Sequence, residues 1–518
     1  MIATEPDRRP GAGTVSVSSN CGSLVEPSMA ALDQFGTASV SFTFDQPGDA
    51  CTDTITVTAQ WETRGKSVSA QLSLKTDTGA PSSGQDGGRA VVTWRRLLYL
   101  KAPTSMAGDL GTAAAISRDG RTIALGSQFN FVTLYDRAAN SWMVRGVLTV
   151  ERPALSGFGT AVALSGDGEV VVVGAPVEMS DATGIGGSGA NTRAPSSGAA
   201  FVFRRTGTTW REEAYLKASN SRGGNQFGTS VGVSESGDTV VVGSPGEPSR
   251  SGGVNGDQTD VSMMSAGAAY VFERQAGAWV QTNYLKKTQP ESSERFGATV
   301  AVSDDGSHIA VAATKAWLLS TTGTRVQAGN VTLFARRGTT WVSEGEVAPP
   351  TPGPSIEFGS GLALDGSGTT VVVGTPHLGP LVGGFPEGAV SAFRRTGSAW
   401  LPDTPFPSRT SRAKGLGSSV AISSDGTRVF AGAPSGPEQM GAVSGFFREG
   451  TEWRERVTLS EDQAPRNHAF FGWSVAVSGD GRSLVIGAPS DSSDAVGING
   501  SGQWRSGRSG AGYLYSDP

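Results

Sequence analysis

Apolar residues return along most of this chain in short runs, and the runs recur at a long, nearly fixed period. Seven tryptophans share one register: Trp94, Trp142, Trp210, Trp279, Trp341, Trp400 and Trp453. Six residues after each stands an apolar residue, from Leu100 and Leu148 to Leu459, and an even separation puts both on one face of a strand. Further on, an apolar residue is followed by glycine, as Leu110-Gly111, Phe158-Gly159, Phe227-Gly228, Phe296-Gly297, Phe358-Gly359, Leu416-Gly417 and Phe471-Gly472. Next comes a tight turn with Asp-Gly or Ser-Gly, such as Asp167-Gly168, Ser236-Gly237 and Asp480-Gly481, and glycine there admits the positive φ that hairpins need. The strand entering the turn reads like Val162-Ala-Leu-Ser165, and the one leaving it like Val170-Val-Val-Val-Gly174, the unbroken run of a strand buried on both faces. Gly174-Ala-Pro176 or a variant follows, with Gly126-Ser-Gln and Ala312-Ala-Thr as the two copies that depart from it.

After a loop of variable length, another strand ends in an aromatic residue: Tyr135, Phe203, Phe272, Phe334, Phe393, Phe446 and Tyr515. In the first six copies a polar turn then leads back to the Trp strand, so each unit has four strands. The repeat begins at Trp94 on a fourth strand with no preceding third, and stops at Tyr515 on a third strand with no following fourth. Pairing those two completes a seventh unit and removes the open edges of a linear array. The reading is all-β: a seven-bladed β-propeller over residues 90–518, in which the repeat Trp residues pack blade against blade and Trp210→Ala costs about 3–5 kcal/mol.

The stretch from Phe158-Gly-Thr-Ala-Val-Ala-Leu-Ser-Gly-Asp-Gly168 to Gly174-Ala-Pro176 resembles the FG-GAP repeat, which builds the seven-bladed head of integrin α subunits and of many bacterial surface proteins. The resemblance implies an extracellular propeller used for adhesion or recognition, with ligands met by loops on one rim. Integrin-like copies often carry an expanded Asp-x-Asp-x-Asp-Gly calcium loop after the first strand. All seven turns here are short, as in Ser165-Gly-Asp-Gly168, and one Asp per turn cannot supply the six to eight oxygens of calcium. No cofactor is expected.

Residues 12–78 alternate without the repeat, as in Ser39-Val-Ser-Phe-Thr-Phe44 and Ser67-Val-Ser-Ala-Gln-Leu-Ser-Leu74, the pattern of half-buried antiparallel strands in a small sandwich. The segments around Cys21 and Cys51 resemble invasin-type immunoglobulin-like domains, and the two cysteines form either a disulfide or two buried thiols. Residues 1–11 read as a flexible N-terminus, and the Gly/Ser/Pro-rich stretch 79–89 as a linker.

Composition narrows the chemistry. Gly 73 and Pro 27 in 518 residues, with only 17% charged residues, exclude a helical bundle. The net charge of −5 comes from interspersed signs, so no basic footprint for nucleic acid is present, and no apolar stretch approaches the 18 residues of a membrane helix. The N-terminal segment lacks the apolar core of a secretory signal. The three histidines, His308, His377 and His468, fall at unrelated places in their repeats. Gly228-Thr-Ser-Val-Gly232 matches a nucleophile elbow in letters, but it lies on a repeat strand, where the required strand-to-helix turn does not exist. Neither zinc pairs nor a phosphate loop occur, and no catalytic residue is assigned.

The loops between second and third strands vary while the strands conform, so the rim they share with the loops before each Phe-Gly pair is the expected binding face. The long inserts offer Asp181, Asn255, Asp257, Asp260, Asp491, Asp494 and Asn499, with Trp317 and Trp504 as aromatic platforms. These loops could hold calcium, hydrogen-bond a sugar or simply cover the rim; Asp257, Asp260, Asp491 and Asp494 are the oxygens that a metal would use. The expectation is a non-catalytic extracellular recognition or adhesion protein, binding a protein or glycan partner and neither nucleic acid nor the membrane interior. The alternatives are a polysaccharide hydrolase or lyase, which would need paired acids at the channel mouth, and a structural surface scaffold.

Overall fold

A computed structural model of the chain describes residues 94–104, 108–138, 141–151, 156–379, 381–382, 385–407, 414–435, 441–460, 469–503 and 507–517 of the repeat region, and the backbone of 12–19, 29–31, 54–63 and 66–75 ahead of it. The chain divides into two compact units, Met1–Ala90 and Val91–Pro518.

In the first unit the described residues form one antiparallel sheet in the order Met29–Ala31, Ala12–Ser19, Thr54–Thr63, Lys66–Lys75. Three of the four expected strands are present. The fourth, around 39–44, lies outside the described residues, as do Cys21, Cys51 and the 79–89 linker.

The second unit is the seven-bladed propeller, seven sheets of four antiparallel strands each. Blade two shows the plan: Ala161–Leu164, Val170–Ala175, Ala199–Thr206 and Thr209–Leu216, paired in sequence order. Blade seven takes Ser474–Val477, Ser483–Ala488 and Ala511–Ser516 from the end of the chain, and its fourth strand, Arg95–Leu100, from the start of the repeat region. Among the described residues no helix is long and apolar enough to cross a membrane.

The valine runs explain why blades stack. Val170 and Val172 join a buried cluster with Val240, Val242 and Trp279 of blade three, while Val171 and Val173 join one with Ala124 and Leu134 of blade one. Alternate residues therefore fill the two interfaces that flank each blade. The register Trp residues sit in these interfaces. Trp279, Trp341 and Trp453 are buried, and Trp94, Trp142, Trp210 and Trp400 are partly buried.

At the end of the central channel where first and second strands meet, the seven turns are tied by backbone bonds into a closed ring. Gly166 N–H donates to Glu235 O (2.9 Å), Glu235 to Asp304 (2.8 Å), Asp304 to Gly366 (3.1 Å), and Gly366 to Ser424 (2.9 Å). Ser424 then donates to Gly479 (2.9 Å), Gly479 to Arg118 (2.9 Å), and Asp119 back to Gly166 (3.4 Å). The turn residues stabilise themselves too: Ser165 Oγ donates to Asp167 Oδ1 at 2.6 Å, and the same carboxylate accepts from Glu169 N–H at 2.9 Å. Asp305 and Asp480 repeat this arrangement, so the turn carboxylates serve the hairpin itself.

Candidate functional site

The insert-bearing rim begins with three loops that share one construction. In blades two, three and seven the chain after the second strand places an acid, Glu178, Glu247 or Asp491, beneath the insert. Each acid meets a buried lysine from just past the fourth strand: Lys217 Nζ to Glu178 2.7 Å, Lys286 to Glu247 2.8 Å and Lys101 to Asp491 2.9 Å. Lys217 Nζ also donates to Ser180 O (3.0 Å) and Ser197 Oγ (2.7 Å). Burial pulls the Lys217 and Lys286 ammonium groups below the ordinary lysine value, and their carboxylate partners oppose that shift. Above each pair the insert crosses back over the fourth strand. Lys217 N–H donates to Gly184 O (2.8 Å), Lys286 to Gly253 (2.9 Å), and Lys101 to Gly497 (2.8 Å).

This construction decides what several of the expected rim residues do. Asp491 is fully buried, accepting from Lys101, from Tyr99 Oη at 2.9 Å and from Tyr513 Oη at 3.1 Å, which removes it from the oxygens that the rim presents to a ligand or metal. Asn255 and Asn499 occupy equivalent positions with φ of 56° and 52°, and their amide oxygens accept the Tyr284 and Tyr99 N–H groups at 2.9 and 2.8 Å. Those oxygens are committed to fixing the insert. Asp494 accepts from Gln503 N–H at 2.6 Å, which closes its own loop.

Asp181, Asp257 and Asp260 stay nearer the surface. Asp181 accepts from Asn191 Nδ2 at 2.9 Å. Asp257 accepts both the hydroxyl and the N–H of Thr259, bonds that hold its carboxyl below the usual range. Asp260 accepts from the N–H groups of Arg250 (2.8 Å) and Ser262 (3.0 Å) and is held low in the same way. Asp257 and Asp260 share the blade-three insert and Asp181 belongs to that of blade two, and among the described residues no group of three acids, histidines or cysteines converges on one point. Trp317 lies on a small hairpin, Trp317–Leu319 with Arg325–Gln327, and the Arg325 guanidinium stacks over its ring at 5.2 Å. Trp504 lies outside the described residues.

Nearer the axis, the same face carries the turns that precede each first strand. In five blades a hydroxyl locks the turn: Thr112 to Asp109 O (2.7 Å), Thr160 to Gly157 O (2.6 Å), Thr229 to Gln226 O (2.7 Å), Ser360 to Glu357 O (2.9 Å) and Ser418 to Gly415 O (2.7 Å). Blade four has Ala298 there, and blade seven has Trp473, 47% exposed and packed edge-on against Phe470 at 5.9 Å. This aromatic pair was not among the expected site residues. Its signal was nevertheless in the repeat, since Phe471-Gly472-Trp473 stands where the other copies read Phe-Gly or Leu-Gly followed by Thr, Ala or Ser.

A family model described as FG-GAP repeat matches residues 210–272 and 453–515. The chain thus carries FG-GAP repeats at these two places. Each match runs from a fourth-strand Trp to the aromatic residue closing the next third strand, one full repeat in the frame of the chain rather than of the blade. No curated protein matches the chain.

The propeller gives the two glycines of the FG-GAP signature a steric cause. A Cβ on Gly228 would stand 2.1 Å from the Ala199 carbonyl oxygen of the preceding blade, and one on Gly174 would stand 2.0 Å from the Gly228 oxygen. First and second strands of neighbouring blades thus approach backbone to backbone, which side chains at these positions would prevent. The other channel end, at the ring of turns, holds a cavity of about 230 Å³ walled by first-strand Ala, Val, Leu and Ile. Arg118 pairs with Asp304 there, beside Glu235, whose side chain lies over Gly166. Asp304 is thus engaged by an arginine. Ser230 of the elbow-like motif sits on the strand Ser230–Val233, where its Oγ accepts from Val300 N–H at 2.9 Å.

Proposed function

We propose that this chain is a non-catalytic extracellular recognition protein, which binds a protein or glycan partner through the face carrying the second-to-third-strand inserts. The carrying observation is a division of labour. Strands and turns repeat from blade to blade, and buried lysine–acid pairs recur in three blades, for structural reasons, whereas the loops on one face differ in length and in exposed chemistry. The FG-GAP repeats support the same reading, because propellers of that type serve recognition.

Testing requires the full-length chain on a glycan array and against surface-protein preparations, with calcium and with chelator. The informative variants are Asp181→Ala and Asp257→Ala, which touch exposed insert carboxylates and leave the lysine pairs intact. Weakened binding at an unchanged melting temperature is expected. Turnover of a polysaccharide, or binding indifferent to both substitutions and to shortening of the inserts, would overturn the proposal.

A further inference from the structure

Blade seven breaks the repeat twice at one place. In every blade but the first, where Asp109 stands, the turn before the first strand places a residue at positive φ, and Gly157, Gln226, Arg295, Glu357 and Gly415 supply it with φ from 54° to 75°. Blade seven uses Phe470 at φ 53°, a bulky aromatic residue in a region that disfavours it. Three residues on, Trp473 replaces the small residue that in five blades locks the turn by hydrogen bonding, and nearly half of its surface is exposed. Neither substitution serves the fold: the first strains the backbone, and the second gives up a bond and exposes a large apolar side chain.

The surroundings indicate the kind of ligand. Ser474, next to Trp473, donates to Gly111 O at 2.8 Å, so blade one's Asp109–Thr112 turn is the neighbour of the aromatic pair around the channel mouth. Asp109 is buried, with Oδ2 accepting from the Gln128 amide and Oδ1 without a partner among the described residues. The Thr112 hydroxyl spends its hydrogen on Asp109 O and keeps lone pairs for an incoming donor. An apolar plate bordered by the Thr112 hydroxyl oxygen, with the enclosed Asp109 carboxylate behind it, suits a molecule with an apolar C–H face and a hydroxylated edge. A pair of rings in a polar setting is far smaller than the patch that a stable protein interface buries.

From this we infer that the channel mouth at the junction of blades seven and one is a binding site for a neutral pyranose ring, which stacks on Trp473 beside Phe470 and donates hydroxyl hydrogens toward the Asp109–Thr112 turn. The inference rests on the recognition reading above and narrows it to glycan at this sector.

The test uses the full-length chain on an array of cello-, laminari-, chito- and manno-oligosaccharides, followed by calorimetric titration with the strongest binder. Trp473→Ala should weaken binding by about tenfold or more and Trp473→Phe should restore most of it, because a stacking face is what is lost and regained. Phe470→Gly should raise the denaturation midpoint, by relieving positive φ, while weakening glycan binding. Glycan binding unchanged in Trp473→Ala overturns the site but leaves recognition through the inserts standing. An array silent to the wild-type chain also overturns it, and binding to surface proteins then decides separately whether the wider reading survives.

Discussion

Tryptophan at the register position makes a graded contribution, because its burial differs from blade to blade. Trp453 is 3% exposed and stacks on Phe406 at 4.9 Å and 22°, whereas Trp210 is only partly buried against the blade-one interface. We expect Trp453→Ala to cost about 3–5 kcal/mol and Trp210→Ala less, measured as shifts of the urea midpoint. His308 is one group through which pH acts. It opens a second strand where other blades have Thr, Val, Arg or Ser, and its Nε2 is buried without a partner among the described residues. Burial pushes the imidazole below its ordinary value; Arg395 and Arg337 add to this and Glu344 and Asp305 oppose it. A depressed histidine means that the unfolded chain binds the proton more readily, so its stabilising contribution is present above about pH 6.5 and is lost as pH falls through the folded value. His308→Thr should therefore flatten the decline of melting temperature on acidification below that pH; an identical slope in the variant would contradict this.

The insert is a buried ion pair with a loop folded over it. Lysine, acid, tyrosine and serine sit beneath each of the three inserts, and the crossing strand above excludes water from them. Removing one partner leaves the other charge buried and uncompensated, so Asp491→Ala should destabilise the fold by about 3–5 kcal/mol. That outcome differs from the simple loss of binding that an exposed rim acid would show. Thermal melts and binding measured on the same variant separate the two. The motif was only partly legible in sequence. The Asp and Asn residues stood out as oxygen donors, but the lysine that pairs with Asp491, Lys101, lies 390 residues away along the chain, and Glu178 and Glu247, the acids of the other two pairs, were not among the expected residues.

Across the whole molecule, closure depends on one borrowed strand. Arg95–Leu100 pairs with Ala511–Ser516, and Lys101 anchors the same seam through Asp491 and Ser509. Ion pairs also run between neighbouring blades, including Arg205 with Asp136, Arg274 with Glu213 and Arg448 with Asp403. A chain lacking residues 1–101 would leave blade seven with three strands and an open edge. It should lose the single cooperative melt and associate, as followed by calorimetry and size-exclusion chromatography. A monomer with an unaltered transition would show that the seam is dispensable.

The repeat determined the propeller by itself. Period-two burial, turn glycines and a seven-fold register are local properties, and the mismatch between the first and last strands already implied the closure. The tertiary structure decided which polar residues remain available to a partner. Folding spends the Asp491 carboxylate on Lys101, the Asn255 and Asn499 oxygens on backbone, and the Trp317 face on Arg325, while leaving Trp473 exposed at the channel mouth. Such assignments depend on contacts between residues far apart in the chain, which no local pattern encodes.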